Sequence, residues 1–340
     1  MKFATTLSLL LLLSSILVCT MSTPLSRRHS LSVIRKLNRE GPFVGLITVY
    51  APEENAFLAS NAFKPDPRHP FVDLSGRRFR IGKVRGKGVV YVRCGVGLRN
   101  AVAATQQMLD LFNVSGVIHF GIAGSLENSL RTGYVSIPKQ FAQTGLWEWL
   151  KANGTVGPEY FAHLDIGSYN VPEGEGINQL GHIGYSAEEF YSESGVPNVP
   201  RRVVWANVSQ NWYNIATKLE GMELERCLNS TVCLPQVPKV VIGQRGSTAN
   251  IFVDNSAYRD FLSKTLGVSL AEMESASVIM TSVANGFPVI VIRGLSDAAG
   301  GQDGPNSARA LGPLAALNTA KVVIRFIELL PSHKKYQDLK

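Results

Sequence analysis

One stretch constrains the fold more than any other: Ala271–Gly301, AEMESASVIMTSVANGFPVIVIRGLSDAAGG. It reads as an amphipathic helix, a tight break at Gly286, a buried strand over Val289–Arg293, and a loop that opens with Ser296-Asp297. A helix followed by a mostly apolar, buried strand suits a parallel α/β sheet. Ligands of such sheets bind outside the carboxyl ends of the strands, so Ser296 and Asp297 fall where chemistry is usually done. Glu272-Met273-Glu274, at the start of the helix, supplies carboxylates one element away.

The rest of the chain repeats the alternation. Val44–Tyr50 is a first buried strand, Phe71–Lys87 suits a hairpin, and Gly88–Cys94 is a strand ending at Gly95-Val96-Gly97. Asn100–Phe112 has helical periodicity, and Val117–Phe120 is a buried strand running into a turn, Gly121-Ile122-Ala123-Gly124. Tyr134–Pro138 is another strand. Residues 141–238, rich in Trp, Gly, Asn and Pro, read as an elaborated insertion. Lys239–Ile242 resumes the sheet, Ala257–Leu266 is a helix and Leu314–Leu330 the closing helix. The expected fold class is α/β: three layers, a central mixed sheet with helices on both faces, in one domain over residues 40–332.

Before that domain, Met1-Lys2 and the apolar run Leu7–Cys19 have the make-up of a secretory signal peptide, too short for a membrane span, with cleavage expected near residue 22. The mature protein is expected in the secretory route, extracellular or vacuolar, with no membrane association after signal removal. Cys94 sits in an apolar strand pattern and reads as an inert core thiol. Cys227 and Cys233 share one polar loop and are expected to bridge in an oxidising lumen. Sequons at Asn113, Asn153, Asn207 and Asn229 are candidate glycosylation sites. The formal charge of +8 includes basic runs at Arg27–Arg39 and Lys334–Lys340, read as solvated ends or a sorting-linked prosegment. They lack the interleaved aromatics of a nucleic-acid binder. A positive balance can still attract anionic partners. No cysteine–histidine cluster has metal-ligand spacing, so neither a metal nor an organic cofactor is expected.

The glycine motifs 95–97 and 121–124 complete neither a dinucleotide fingerprint nor a Walker loop. Taken with the Glu-Met-Glu and Ser-Asp motifs, in this order from Val44 to the closing helix, they resemble the superfamily of purine nucleoside phosphorylases and methylthioadenosine nucleosidases. Its members cleave the bond between a ribose and a base. The secreted leader and the Trp-rich insertion resemble the plant bark and vegetative storage proteins of that superfamily.

The resemblance implies roles residue by residue. Glu53 takes the acidic position near the reacting carbon, and Arg293 the arginine that pairs with it. Met273 and Glu274 match the ribose-binding pair; a carboxylate suits a vicinal diol because each oxygen can accept one O–H. Glu272 reads as an acid placed for the helix dipole. Asp297, oriented by Ser296, is the implied proton donor to N7 of a purine, a role that calls for a partly buried pocket. Phe252 is expected to stack on the base and Asn250 to read its edge.

The acceptor of the sugar is either phosphate or water. Arg93, Arg99 and His119 flank the glycine turns and, with Gly45 and Gly124, are the candidates for an anion site built with backbone N–H groups. On that basis phosphorolysis with inorganic phosphate as co-substrate is favoured, with hydrolysis by Glu53-activated water as the alternative, and a storage role with little or no activity as the second. The partners implied are a small purine nucleoside and phosphate, and a homo-oligomeric neighbour.

Overall fold

The computed structural model describes residues 25–152, 154–166 and 180–331. The signal segment 1–22, the sequon at Asn153 and the lysines from 334 onward lie outside them. In chain order the strands of the first half are β1 (Phe43–Thr48), β2 (Phe63–Pro65), β3 (Phe71–Leu74), β4 (Arg77–Val84), β5 (Lys87–Arg93), β6 (Val114–Ser125), β7 (Val135–Ile137) and β8 (Gln140–Gln143). The insertion carries β9 (Trp147–Leu150), β10 (Tyr160–Asp165), β11 (His182–Ser186), β12 (Glu188–Phe190), β13 (Arg201–Val203) and β14 (Trp205–Asn207). The second half adds β15 (Val240–Ile242), β16 (Arg245–Thr248), β17 (Leu270–Glu272) and β18 (Val289–Asp297). The helices are α1 (Leu25–Leu37), α2 (Ala51–Ala59), α3 (Leu98–Leu111), α4 (Gln210–Ala216), α5 (Ser256–Leu266), α6 (Ser275–Ala284) and α7 (Ala308–Leu329).

The central sheet is mixed, in the order β14-β8-β16-β17-β6-β1-β5-β4-β2, with β18 paired to β6 and β7. Its middle is parallel: β1 beside β5 and β6, and β6 beside β18. These strands are buried on both faces, and β18 is buried at every residue. Covering both faces with helices is the physical solution for such strands, and α7 supplies the largest cover, packing on β18 and α2. The antiparallel neighbours β4 and β5 join by a tight turn at Arg85-Gly86, both at positive φ (49° and 80°), the geometry that matches hairpin twist. From that turn Lys87 Nζ donates to the carbonyls of Ile327, Glu328 and Leu330, satisfying the unpaired C=O groups at the carboxyl end of α7.

Three expectations need correction. Gly121–Gly124 is not a turn but lies inside β6, which runs twelve residues. Gly121 has no room for a side chain, because a Cβ there would collide with Glu53 Oε1 and Arg293 Nη1. The start expected for the Ala271 helix belongs instead to β17, and α6 begins only at Ser275, because Glu272 turns its carboxylate back to receive the N–H groups of Glu274 and Ser275 at 3.0 and 2.8 Å. The closing helix starts two turns early, at Ala308, and runs through Gly312-Pro313; in its exposed first turns the carbonyl that Pro313 leaves without a donor can turn to water. The basic stretch near the amino end forms α1, whose Val33, Ile34 and Leu37 are buried while Arg27, Arg28, Arg35 and Lys36 stay exposed.

The insertion also begins later than residue 141. β8 pairs with β16 in the main sheet, and only β9–β11 and β12–β13 form small sheets of their own. Cys227 and Cys233 are disulfide-bonded, as expected, and Cys94 is a buried free thiol. The sequon residues Asn113, Asn207 and Asn229 are exposed.

Candidate active site

A cavity of about 380 Å³ opens over the carboxyl ends of β1, β6, β17 and β18. Its walls come from Val49-Tyr50 and Glu53 after β1, residues 122–124 of β6, residues 251–253 after β16, residues 271–274, Arg293 and Ser296-Asp297 of β18, and Ala308-Arg309 of α7.

Glu53 enters from the first turn of α2. One of its oxygens accepts the N–H groups of Val49 and Tyr50 at 2.8 and 3.2 Å; the other accepts Ile122 N–H at 2.8 Å. The bond from Tyr50 caps the helix, so one carboxylate both starts α2 and faces the cavity. Burial pushes its pKa up, opposed by the nearby positive charge of Arg293 and by the three N–H donors.

Arg293, fully buried on β18, organises the cavity floor. Its guanidinium bonds the carboxylate of Glu272, the Ser275 hydroxyl at 2.9 Å, the His119 ring, and the Ile122 carbonyl at 3.3 Å, and lies 3.5 Å from the Glu274 carboxylate. The ion pair expected with Glu53 is therefore replaced by pairs with Glu272 and Glu274; Glu53 feels the arginine as a nearby charge. Glu272 also accepts from the hydroxyls of Ser275 and Thr248, so it is a structural hub rather than a simple dipole acid. Glu274 accepts Gly97 N–H at 2.8 Å. Its pKa rises to about 7, first through burial and then through the charge of Glu272, against the pull of Arg293. His119, Glu272 and Glu274 bring metal-ligand atoms within 4.8 Å of one another, but the arginine bonds or pairs with all three and holds the place a cation would take.

Ser296 and Asp297 end β18 rather than opening a loop. The register against β6 slips there, Leu295 opposite Ala123 and Asp297 opposite Gly124, leaving Ser296 as the extra residue of a bulge. Bulges re-aim side chains beside active sites. Ser296 Oγ donates to Asp297 Oδ2 at 2.7 Å, and Asp297 Oδ1 accepts Ala299 N–H at 2.7 Å. Both residues are 2% exposed, the partly buried setting that was expected. Gly124 provides the clearance: a Cβ there would sit 3.1 Å from Asp297 Oδ1.

At the mouth, Phe252 lies on the cavity wall and is 61% exposed. Asn250 does not line the cavity; its side-chain oxygen accepts Leu98 N–H at 2.9 Å and holds the amino end of α3. Met273 lines the cavity beside Glu274.

The remaining anion-site candidates are not brought together. Arg93 pairs with Glu54 at 3.3 Å, away from the cavity, and Arg99 is exposed on α3. Gly45 sits mid-strand, where a Cβ would strike Met108 Sδ at 2.6 Å, so its smallness serves core packing. His119 is wholly buried, and burial and Arg293 both press its pKa well below the usual value. With Nδ1 donating to Ile47 O at 3.1 Å, its other nitrogen accepts from Arg293 and the ring is neutral. Reasoning from sequence missed Tyr50, Ile122 and Arg309 as cavity residues. A longer α7 would have pointed to Arg309.

A mixed sheet with buried acids gathered at its carboxyl edge defines the class. The family model described as Phosphorylase superfamily matches residues 44–328, and the chain belongs to that superfamily. Among particular relatives, it is 37% identical to Bark storage protein A of Populus deltoides, over 85% of this chain and 89% of that one. It is 24% identical to the 5'-methylthioadenosine/S-adenosylhomocysteine nucleosidase of Treponema pallidum (strain Nichols), over 76% of this chain and 84% of that one. In fold it is similar to the corresponding Helicobacter pylori nucleosidase, with a TM-score of 0.59 at 20% identity, covering 85% of this chain and all of the other. The futalosine hydrolase of Helicobacter pylori strain 26695 is similar at a TM-score of 0.57 and 18% identity, over 86% of this chain and all of that one.

Proposed function

We propose that this protein hydrolyses the N-glycosidic bond of a purine nucleoside. The observation that carries this reading is that Glu53 and Asp297, two buried carboxylates from different strand ends, line one cavity with Glu274 between the same walls. Glu274 accepts hydrogen bonds from the ribose hydroxyls. Asp297, held in place by the Ser296 hydroxyl, enters the reaction as the carboxylic acid and donates its proton to N7 as the C1′–N9 bond breaks and electrons move onto the base. Glu53, its carboxylate held by three N–H donors, takes a proton from the water whose oxygen bonds to C1′. The products are free base and free sugar. The base leaves with the proton from Asp297, Glu53 holds the one from water, and exchange with solvent resets both.

Water is favoured over phosphate because the buried arginine of the floor is committed to Glu272 and Glu274, and Arg93, Arg99 and His119 do not converge on the cavity. A phosphate dianion at the reacting carbon would face the buried carboxylates of Glu53, Glu274 and Asp297, and the other arginine of the cavity walls, Arg309, stands out at the exposed mouth. The test is to incubate the purified protein with purine ribosides with and without phosphate, and in 18O-water. Labelled free ribose formed at the same rate in both supports hydrolysis; ribose 1-phosphate formed only with phosphate rejects it.

The 37% identity to Bark storage protein A favours a second reading, a protein reserve in the secretory route with the fold retained. It predicts no base released from any purine riboside. Placement in that route rests on the leader at 1–22, the disulfide and the exposed sequons at Asn113, Asn207 and Asn229. A mass shift on deglycosylation of protein from its native compartment tests it.

A further inference from the structure

The cavity has a second arginine, and its situation is the opposite of the first. Arg309 lies on the cavity wall in the first turn of α7 and is exposed. Its guanidinium meets no carboxylate, carbonyl or hydroxyl among the described residues, and it is not one of those with an unstated contact. One turn further on, Gly312 faces the same way; a Cβ there would stand 3.5 Å from Tyr50 Oη and 3.6 Å from Ile122 Cδ1. The Arg309 face of α7 therefore looks onto the segment that carries Glu53. The first turn of α7 holds no acidic residue to offset the arginine. The loop before it is fixed: Ser307 Oγ donates to Ser296 O at 3.1 Å, and the Asn306 side-chain amide donates to Asp254 at 2.9 Å. Arg309 thus stands on the α7 wall at the mouth of the cavity, with no partner for its guanidinium among the described residues.

We infer that Arg309 makes this cavity selective for nucleosides whose sugar carries an anionic substituent, a carboxylate or a phosphate, on the side facing Tyr50 and α7. This rests on the nucleoside-cleaving reading. The floor is rich in carboxylates and repels a bare anion, but an anion tethered to the sugar on the α7 side meets the guanidinium. Two parallel N–H donors match the oxygens of either group.

The test compares adenosine, adenosine 5′-monophosphate and adenosine 5′-carboxylate in protein with Arg309 intact and in Arg309→Met. The quantity read is the ratio of kcat/KM for each anionic compound to that for adenosine. A charge-assisted pair predicts a ratio of about 10 or more that collapses toward one in Arg309→Met, is partly restored in Arg309→Lys, and shrinks as salt is added. A ratio unmoved by Arg309→Met, or a parent preference for adenosine, overturns the inference. Preference for only one of the two anions identifies which group is recognised. The same ratio is measured from dissociation constants in the Asp297→Asn background. If no base is released but the binding ratio still follows Arg309, the cleavage reading falls and this one stands. If cleavage proceeds with the ratio untouched, only this one falls. If none of the three compounds binds, both fall.

Discussion

The floor and the mouth of the cavity are built on opposite principles. On the floor, Glu53, Glu272, Glu274, His119 and Arg293 are all nearly or fully buried, and each is held by several named donors or acceptors. At the mouth, Val96, Phe252 and Arg309 are exposed, with no polar partner for the arginine among the described residues. Buried charge is tolerable only when fully paired, so the floor can hold reacting groups in place before any ligand arrives. The mouth bears no such constraint and is where a different ligand could be accommodated without disturbing the chemistry.

The strongest way to break this contrast is Asp297→Asn. The amide can still hydrogen-bond N7 but cannot give up a proton, and kcat for purine nucleosides should fall by about 10²–10⁴-fold with binding nearly unchanged. A loss within a few-fold, read from steady-state rates, would remove Asp297 from the reaction and favour the reserve reading.

Next in size is Arg293→Met. It leaves Glu272 and Glu274 buried without their cation, and the fold should lose about 3–5 kcal/mol in denaturant titration. Retained stability would mean that the floor is not held by this ion pair.

Glu274→Gln should cost about 1.5–3 kcal/mol of nucleoside binding, from one ribose O–H losing its charged acceptor. With the parent pKa raised to about 7, binding should weaken as pH falls through 7, while the variant gives a flat profile. Stability runs the other way. An acid whose folded pKa lies above its unfolded 4.5 favours the fold below that value, and the gain is lost as pH rises toward 7. Parallel pH profiles for parent and variant, in binding titrations and melts, would exclude Glu274 from the ribose.

Phe252→Ala sharpens the contrast from the side of the mouth. Losing one exposed stacking face should raise KM by less than about 10-fold and leave the melting curve in place, since exposed positions carry little stability. A large drop in stability would show that the mouth is as tightly built as the floor.

Much of this was legible in the sequence. Ser296 and Asp297 were legible from period and topology, which put the end of that strand at the ligand edge; Glu53, Glu274 and Arg293 were legible through the resemblance to the superfamily's motifs, and all five line one cavity. The partners of Arg293 were not legible. His119 lies opposite Val291 across the β6–β18 register, two residues from Arg293 on the same face, and only strand pairing reveals that diagonal. Asn250 was assigned to a base it does not face because its real partner, Leu98 N–H, is 152 residues away in the chain. Arg93 and Arg99 looked like an anion site because they flank glycine turns; side-chain direction sends one to Glu54 and the other to solvent. Arg309 was missed because Gly312-Pro313 reads as a helix stop.

The missing side chain at Gly121 has a practical consequence. A single added methyl there would push apart Glu53 and Arg293 while leaving every ionisable group of the protein in the chain. Gly121→Ala is therefore a candidate for a silent twin: same charge, same cysteines and sequons, and an acid displaced from its post. Grown beside the parent, such a twin would let an organism itself report whether it draws on this protein as a catalyst or as a larder.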